Sequence, residues 1–347
     1  DGAIFQSTND SEVILHLIAR SRRNSFLDSV TEALSQLKGA YSILLMTENQ
    51  IVVARDPSGF RPLCLGELDG AYVFASESCV MDLVGANFLR EIEPGEVLRI
   101  DQSGPKSFFP FPSSPSRACV FEHIYFARPD SFIFGEDVYQ IRKQMGRALA
   151  KEWPVEADVV IPVPDSGNLS ALGFAEESGI PFQFGLIRNH YVGRTFIEPQ
   201  SQIRHFGVKL KLNVVRQAVE GKRLIIIDDS IVRGTTSRKI VKMVHEAGAK
   251  EVHIRISSPP NLFPCYYGID TPDRNELVAA TKTLEETRKY LNADTLKYIS
   301  LENMMRVFGD NKGKYCKACF DGAYPINPHL QDEGVAQLEL FSNKHSE

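Results

Sequence analysis

The sequence has 347 residues, 43% hydrophobic and 24% charged, with a formal net charge of −5. This is an ordinary globular composition, long enough for two domains; the acidic balance argues against a general nucleic-acid binder, and no apolar run approaches a bilayer span, so neither nucleic acid nor membrane is an expected partner. No basic-then-apolar leader opens the chain, which points to the cytoplasm, where six cysteines suggest metal or cluster binding rather than disulfides.

Asp1–Gln6 reads as a strand. Asp10 then stands where it can cap a helix carrying Val13, Ile14, Leu17 and Ile18 on one face. Phe26, Val30, Ala33, Leu34 and Leu37 recur at helical spacing before Gly39. Tyr41–Met46, Ile51–Ala54, Tyr72–Ala75 and Val97–Ile100 read as strands separated by turns such as Asp56-Pro57-Ser58-Gly59. Cys64 and Cys79 sit within or beside strand patterns and read as buried structural thiols. Asp101–Ser116, with four prolines and five serines, reads as a linker.

A helix is predicted from about Val138 to Lys151, with Ile141, Met145, Ala148 and Leu149 inward. Asp158–Val163 supplies a strand, and Pro164-Asp165-Ser166-Gly167-Asn168 a loop that opens another helix; alone, that loop is an ordinary turn. Between Arg188 and Asn213, basic residues alternate with Tyr191, Phe196 and Phe206, which by itself describes a solvated surface.

The most informative stretch is Leu224–Ser237. Leu224–Ile227 is a short unbroken apolar run, suited to a central parallel strand buried on both faces, and it ends in Asp228 and Asp229. A helix begins at Thr235 or Thr236, with Ile240, Val241 and Val244 inward, and Val252, Ile254 and Ile256 form the next strand. Ligands of such βαβ units bind beyond the carboxyl ends of the strands. The carboxylates suit sugar hydroxyls or hydrated Mg²⁺, and the Gly234-Thr235-Thr236-Ser237 turn suits a phosphate, so together they describe a phosphorylated sugar. The plain alternative is a strand followed by a capped helix. Downstream, Thr283–Leu291 is helical, Leu296–Leu301 leads into a last helix, Cys316 and Cys319 form a Cys-x-x-Cys pair, and the polar tail after Pro328 reads as loose.

Asp228-Asp229-Ser230-Ile231-Val232-Arg233-Gly234-Thr235-Thr236-Ser237 resembles the phosphoribosylpyrophosphate (PRPP) signature of type I phosphoribosyltransferases, in the form found in the glutamine PRPP amidotransferase family. Ser7–Glu12, Ala54–Leu63 and Ala75-Ser76-Glu77-Ser78 are similar to the later part of that family's glutaminase domain, and Arg117–Ser131 to its junction between domains. The resemblance implies an α/β fold: a type I phosphoribosyltransferase parallel sheet flanked by helices, preceded by a partial N-terminal-nucleophile glutaminase domain of α+β layers. The corresponding boundaries are 1–116 for the partial glutaminase domain, 117–330 for the phosphoribosyltransferase domain and 331–347 for the tail.

By the same resemblance, Asp228, Asp229, Ser230, Arg233, Gly234 and the Thr235–Ser237 turn bind PRPP. Tyr191, Arg194 and Lys211 join them from the family's closing loop, Ser166 completes a Mg²⁺ set with Asp228 and Asp229, and Asp10 binds the ammonium group of glutamine. Cys119, Cys265, Cys316 and Cys319 match the ligands of a [4Fe–4S] cluster in the iron–sulfur subgroup; four thiolates could equally hold Zn²⁺. The family's nucleophilic cysteine has no counterpart, since residue 1 is aspartate, and the front of the glutaminase domain is expected to lie outside this chain.

The implied reaction is the first committed step of de novo purine nucleotide synthesis, in which ammonia from glutamine displaces pyrophosphate from PRPP to give 5-phosphoribosylamine. This chain is expected to use ammonia alone. Purine nucleotide inhibition and a homo-oligomer are family expectations. The alternatives are a purine salvage phosphoribosyltransferase and a non-catalytic PRPP-binding regulator.

Overall fold

The computed structural model describes residues 4–7, 9–189 and 212–327. Its first half is layered. Helices α1 (Glu12–Arg20) and α2 (Phe26–Ser35) lie on a four-stranded antiparallel sheet. That sheet has the order β1–β2–β6–β7, from Ser42–Met46, Ile51–Arg55, Val97–Asp101 and Gly104–Phe108. A second antiparallel sheet, β4–β3–β5, is built from Ala71–Ala75, Cys64–Leu68 and Asn87–Glu91, and helix α3 spans Cys79–Val84. The alternation of side chains along β2 explains the stacking. Val52 and Ala54 pack against Ile14, Val30 and Leu34 of the helices, while Val53 joins Leu63, Leu65, Ile92 and Leu98 between the sheets.

Three expectations are corrected here. Ile4–Gln6 is not a strand; Ile4 and Phe5 are exposed. Asp10 does not cap α1, because Ser11 holds the N-cap position without a side-chain bond. Glu12 reaches back instead, accepting the amides of Gln6 (2.7 Å) and Ser7 (2.9 Å) and the Ser7 hydroxyl (2.6 Å). The predicted linker contains a strand, β7, because Asp101 Oδ1 accepts the Ser103 amide at 2.8 Å and Gly104, at φ +93°, turns the chain back onto β6.

The second half is organised by a parallel sheet in the order β11–β14–β15–β16 (Val159–Pro162, Arg223–Asp228, Glu251–Ile256, Thr295–Tyr298). β14 is paired on both edges and covered on both faces. Leu224 and Ile226 pack with Ile240, Val241 and Val244 of α6 (Thr235–Glu246). Ile225 and Ile227 belong to the opposite core, with Met145 and Leu149 of α4 (Val138–Glu152) and Phe174 of α5 (Asn168–Ser178). Helices α4 and α5 touch backbone to backbone: a Cβ on Gly146 would lie 1.9 Å from the Ser170 carbonyl oxygen, and one on Gly173 1.9 Å from that of Lys143. Helix α7 (Leu284–Leu291) opens with a capping box between Thr283 and Glu286, and α8 (Leu301–Arg306) follows β16. Among the described residues three two-stranded ribbons complete the strands: β8 (Ala118–Cys119) with β17 (Tyr315–Cys316), β9 (Phe132–Ile133) with β10 (Glu136–Asp137), and β12 (Leu186–Arg188) with β13 (Leu212–Val214).

The two halves meet along residues 117–134, which run between them as a strap containing one π-helical turn, Glu122–Phe126. Glu77 Oε2 accepts the Arg128 amide and the Ser131 hydroxyl, both at 2.7 Å, the Ser78 hydroxyl accepts the Phe132 amide at 2.8 Å, and Glu91 accepts that of Phe134 at 2.6 Å. Arg61 pairs with Glu122 at 3.1 Å, and Phe60 stacks on Tyr267 with ring centroids 4.3 Å apart. Among the described residues no helix is long and apolar enough to cross a membrane.

Candidate active site

Asp228 and Asp229 lie where the reading of the apolar run puts them, at the carboxyl end of β14, and are only 8% and 5% exposed. The Asp229 amide donates to Asp228 Oδ1 at 2.9 Å, and the Ser230 hydroxyl to Asp229 Oδ1 at 2.5 Å. Burial, reinforced by the neighbouring Asp229, pushes the Asp228 carboxyl well above the usual range. Burial raises Asp229 as well, opposed by hydrogen bonds from the Ser166 and Ser230 hydroxyls and by the charge of Arg142. Two carboxylates withdrawn from water, the charge of Asp229 adding to the rise at Asp228, form a site with a deficit of positive charge.

Ser166 reaches Asp229 because its loop is fastened to the same strand end. The Val163 amide donates to the Ile227 carbonyl at 2.8 Å, and Gly167 packs so closely that a Cβ there would meet Ile227 O at 2.5 Å. On the far side, the Ser257 amide donates to the Asp228 carbonyl at 3.0 Å.

Beyond the acidic pair the chain turns at Gly234, in the left-handed region at φ +75°, and enters α6. The first intrahelical bond there runs from the Arg238 amide to the Gly234 carbonyl, so the amides of Thr235, Thr236 and Ser237 belong to the first turn, which has no carbonyls within the helix to accept them. Thr235 and Thr236 are exposed and Ser237 is buried. This is a hydroxyl-rich helix N-terminus one turn from two carboxylates, an arrangement that suits an anion. Arg233 points elsewhere, into an exposed ion pair with Glu276 at 2.7 Å. Tyr191, Arg194 and Lys211 lie outside the described residues. Asp10 is exposed, and its Oδ1 accepts the Ser11 hydroxyl at 3.4 Å.

The four cysteines converge from three segments. Cys119 is the register partner of Cys316 in the β8–β17 ribbon, and the Leu262 and Phe263 amides, just before Cys265, donate to the Cys319 carbonyl at 3.0 and 3.1 Å. Burial, with Glu122 and the neighbouring Cys265 and Cys316 adding to it, pushes the Cys119 thiol up to about 12; Cys316 is pushed up to about 11 by burial and Cys265. Cys319, raised well above the ordinary value by burial, feels all three others. Among the described residues no three Cys, His, Asp or Glu side chains are gathered to hold a single metal ion. Cys64 and Cys79 are buried free thiols of the first half, as read from the sequence.

Reading the sequence missed two charged groups. Arg142 is 3% exposed on the inner face of α4, and Glu122 is 3% exposed at the strap. The only signal for Arg142 was its place beside Ile141 on a helix whose apolar face continues at Met145.

The sequence matches the glutamine amidotransferase domain family over residues 1–82. The chain is similar to glutamine PRPP amidotransferase from Bacillus subtilis, solved in complex with ADP and GMP, at 50% identity and a TM-score of 0.89, covering 95% of this chain and 73% of that one. Among curated relatives, the amidophosphoribosyltransferase of Rhizobium etli is 53% identical over 93% of this chain and 68% of its own length. The chloroplastic amidophosphoribosyltransferase of Glycine max is 52% identical over 97% of this chain, which spans 60% of that relative. The fold is thus a glutamine-amidotransferase-type layered unit joined to a phosphoribosyltransferase-type parallel sheet. The chain belongs to the amidophosphoribosyltransferase family.

Proposed function

We propose that this protein forms 5-phosphoribosylamine and pyrophosphate from PRPP and ammonia, the first committed step of purine nucleotide synthesis. The observation that carries this is the convergence of Ser166, Asp228 and Asp229 at one strand end, a turn away from the anion site at Gly234. The carboxylates hold the ribose hydroxyls. The amides of Thr235, Thr236 and Ser237, with the hydroxyls of Ser230, Thr235 and Thr236, hold the 5′-phosphate, and Gly234 lets the backbone approach it. Fixing both ends of the ribose presents C1 to ammonia in line with the departing pyrophosphate, giving inversion. Tyr191, Arg194 and Lys211 are proposed pyrophosphate contacts, and Arg233 a peripheral one once released from Glu276.

A buried pair of hard oxygen donors with raised pKa values, plus a serine hydroxyl, fits Mg²⁺, which needs few protein ligands because water and substrate phosphate complete its shell. When bound it would neutralise charge on the leaving pyrophosphate. The four thiols suit a [4Fe–4S] cluster. They are close enough to feel one another's charge, and four thiolates could equally hold Zn²⁺. The cluster would staple β8, the Cys265 segment and the β17 region together.

The domain limits 1–116, 117–330 and 331–347, binding of glutamine at Asp10, inhibition by purine nucleotides and homo-oligomerisation belong to the same proposal. So does a cytoplasmic location, which suits six free thiols. The salvage and regulator readings are not favoured in a chain whose first 82 residues match a glutamine amidotransferase domain.

The test supplies PRPP and Mg²⁺ with either ammonium at alkaline pH or glutamine and follows pyrophosphate release. Ammonium-dependent release is expected. Release that depends instead on adenine, guanine or hypoxanthine would move the protein to the salvage class.

A further inference from the structure

Arg142 is buried, and its hydrogen bonds run to one short segment. Nε donates to the His123 carbonyl at 2.6 Å, and one Nη donates to the carbonyls of Ala127 (2.7 Å) and Glu122 (3.4 Å). These oxygens bracket the π-helical turn of the strap. The opposite side of the strap is held by carboxylates of the first half, Glu77 and Glu91, through the amides of residues 128 and 134. The strap is therefore clasped by amide acceptors on one side and by a guanidinium on the other.

The arginine is also tied to the acidic site. The Arg142 carbonyl accepts the Ser170 hydroxyl at 3.2 Å, and Ser170 lies in the first turn of α5, directly after the loop that carries Ser166. Gly146, one turn along α4, packs against the backbone of the same Ser170. Burial lowers the pKa of Arg142, and the charges opposing that shift come from Asp229 of the acidic site, Glu77 of the first half and Glu122 of the strap. One buried cation thus balances a carboxylate from each of the three parts.

We propose that Arg142 is a positioning residue that couples the strap between the halves to the Ser166 loop and the acidic pair. A planar fork with fixed donors can hold three carbonyls in one arrangement, which an ammonium on a flexible stem cannot. This inference rests on the proposed PRPP reaction for its kinetic readout but not for its structural one.

The test compares the wild-type protein with Arg142→Lys and Arg142→Met by amide hydrogen exchange and by PRPP-dependent, ammonium-driven pyrophosphate release. Arg142→Lys should speed exchange at residues 122–134, and also in the Ser166 loop and in the 229–237 turn. It should raise the KM for PRPP about tenfold, within the usual range of coupling between sites, while changing kcat less than threefold. Arg142→Met should exaggerate both effects; if it does not fold, Arg142→Lys decides. Faster exchange confined to residues 122–134, with an unchanged KM, would overturn the coupling and leave a purely structural arginine. If the wild-type protein releases no pyrophosphate from PRPP, the proposed reaction fails, and the exchange pattern alone then decides the role of Arg142.

Discussion

Arg188 Nη1 donates to Asp165 Oδ2 at 2.6 Å, so the strand that enters the basic segment is tied to the loop that delivers Ser166. Both side chains are substantially exposed, and such pairs are weak. An anionic ligand at this loop therefore competes with Asp165 for the guanidinium. Asp165→Asn should lower the KM for PRPP by up to about fivefold, the equivalent of one exposed pair, and Arg188→Met should raise it. An Asp165→Asn variant with a higher KM would show that the carboxylate itself serves the ligand.

Asp228→Asn and Asp229→Asn should separate stability from activity. Each removes a charge that burial disfavours, so the melting temperature should hold or rise, while turnover with PRPP and ammonium falls by at least about a hundredfold. Calorimetry with steady-state kinetics checks both halves, and near-native turnover in either variant would remove it from the site.

Glu122 supplies a pH test of the seam. Burial, with repulsion from Glu77 and against the attraction of Arg61, raises its carboxyl from 4.5 to about 7. The folded state therefore binds its proton more tightly than the unfolded state, and the resulting stabilisation is full below pH 4.5 and lost as pH rises to 7. Glu122→Gln removes that dependence while keeping an oxygen for Arg61. At pH 8 the variant should be the more stable by up to about 3 kcal/mol, with the difference vanishing near pH 4.5. Parallel stability curves for the two proteins would contradict the assignment.

For the four cysteines, anaerobically purified protein should be brown, with close to four irons per chain by the proposed cluster stoichiometry. Cys265→Ser should yield little soluble protein, because the link between its segment and Cys319 is lost. One equivalent of zinc in colourless protein would decide for the rival metal.

What could be read from the sequence follows the range of the interactions. β14 and α6 were legible because an apolar run buried on both faces and a glycine-led helix are written in consecutive residues. β3 was not, since Gly66 interrupts it; that glycine is required by distant neighbours, the Asn87 carbonyl oxygen, which would sit 2.9 Å from a Cβ, and the Met81 sulfur at 2.5 Å. β7 was hidden by linker-like composition, and β5 by a half-exposed edge pattern. Asp10 was a reasonable cap by residue type, but the helix starts one residue later, with Ser11 at the N-cap, and Glu12 ties the preceding Gln6 and Ser7 to it instead. Glu77 stands 51 residues from the amide it accepts, and no local pattern announces such a pair.

The contact of Gly146 with Ser170 and of Gly173 with Lys143 bears on how a mutational map of this protein would look. A single added methyl at either glycine must push two helices apart or rebuild the backbone beside them, and α5 would carry the Ser166 loop with it. A scan for loss of function would thus score two side-chain-free positions, with no chemistry of their own, as severely as the carboxylates. Only measuring folding alongside turnover would reveal that they are the bearing surface on which the reactive parts are mounted.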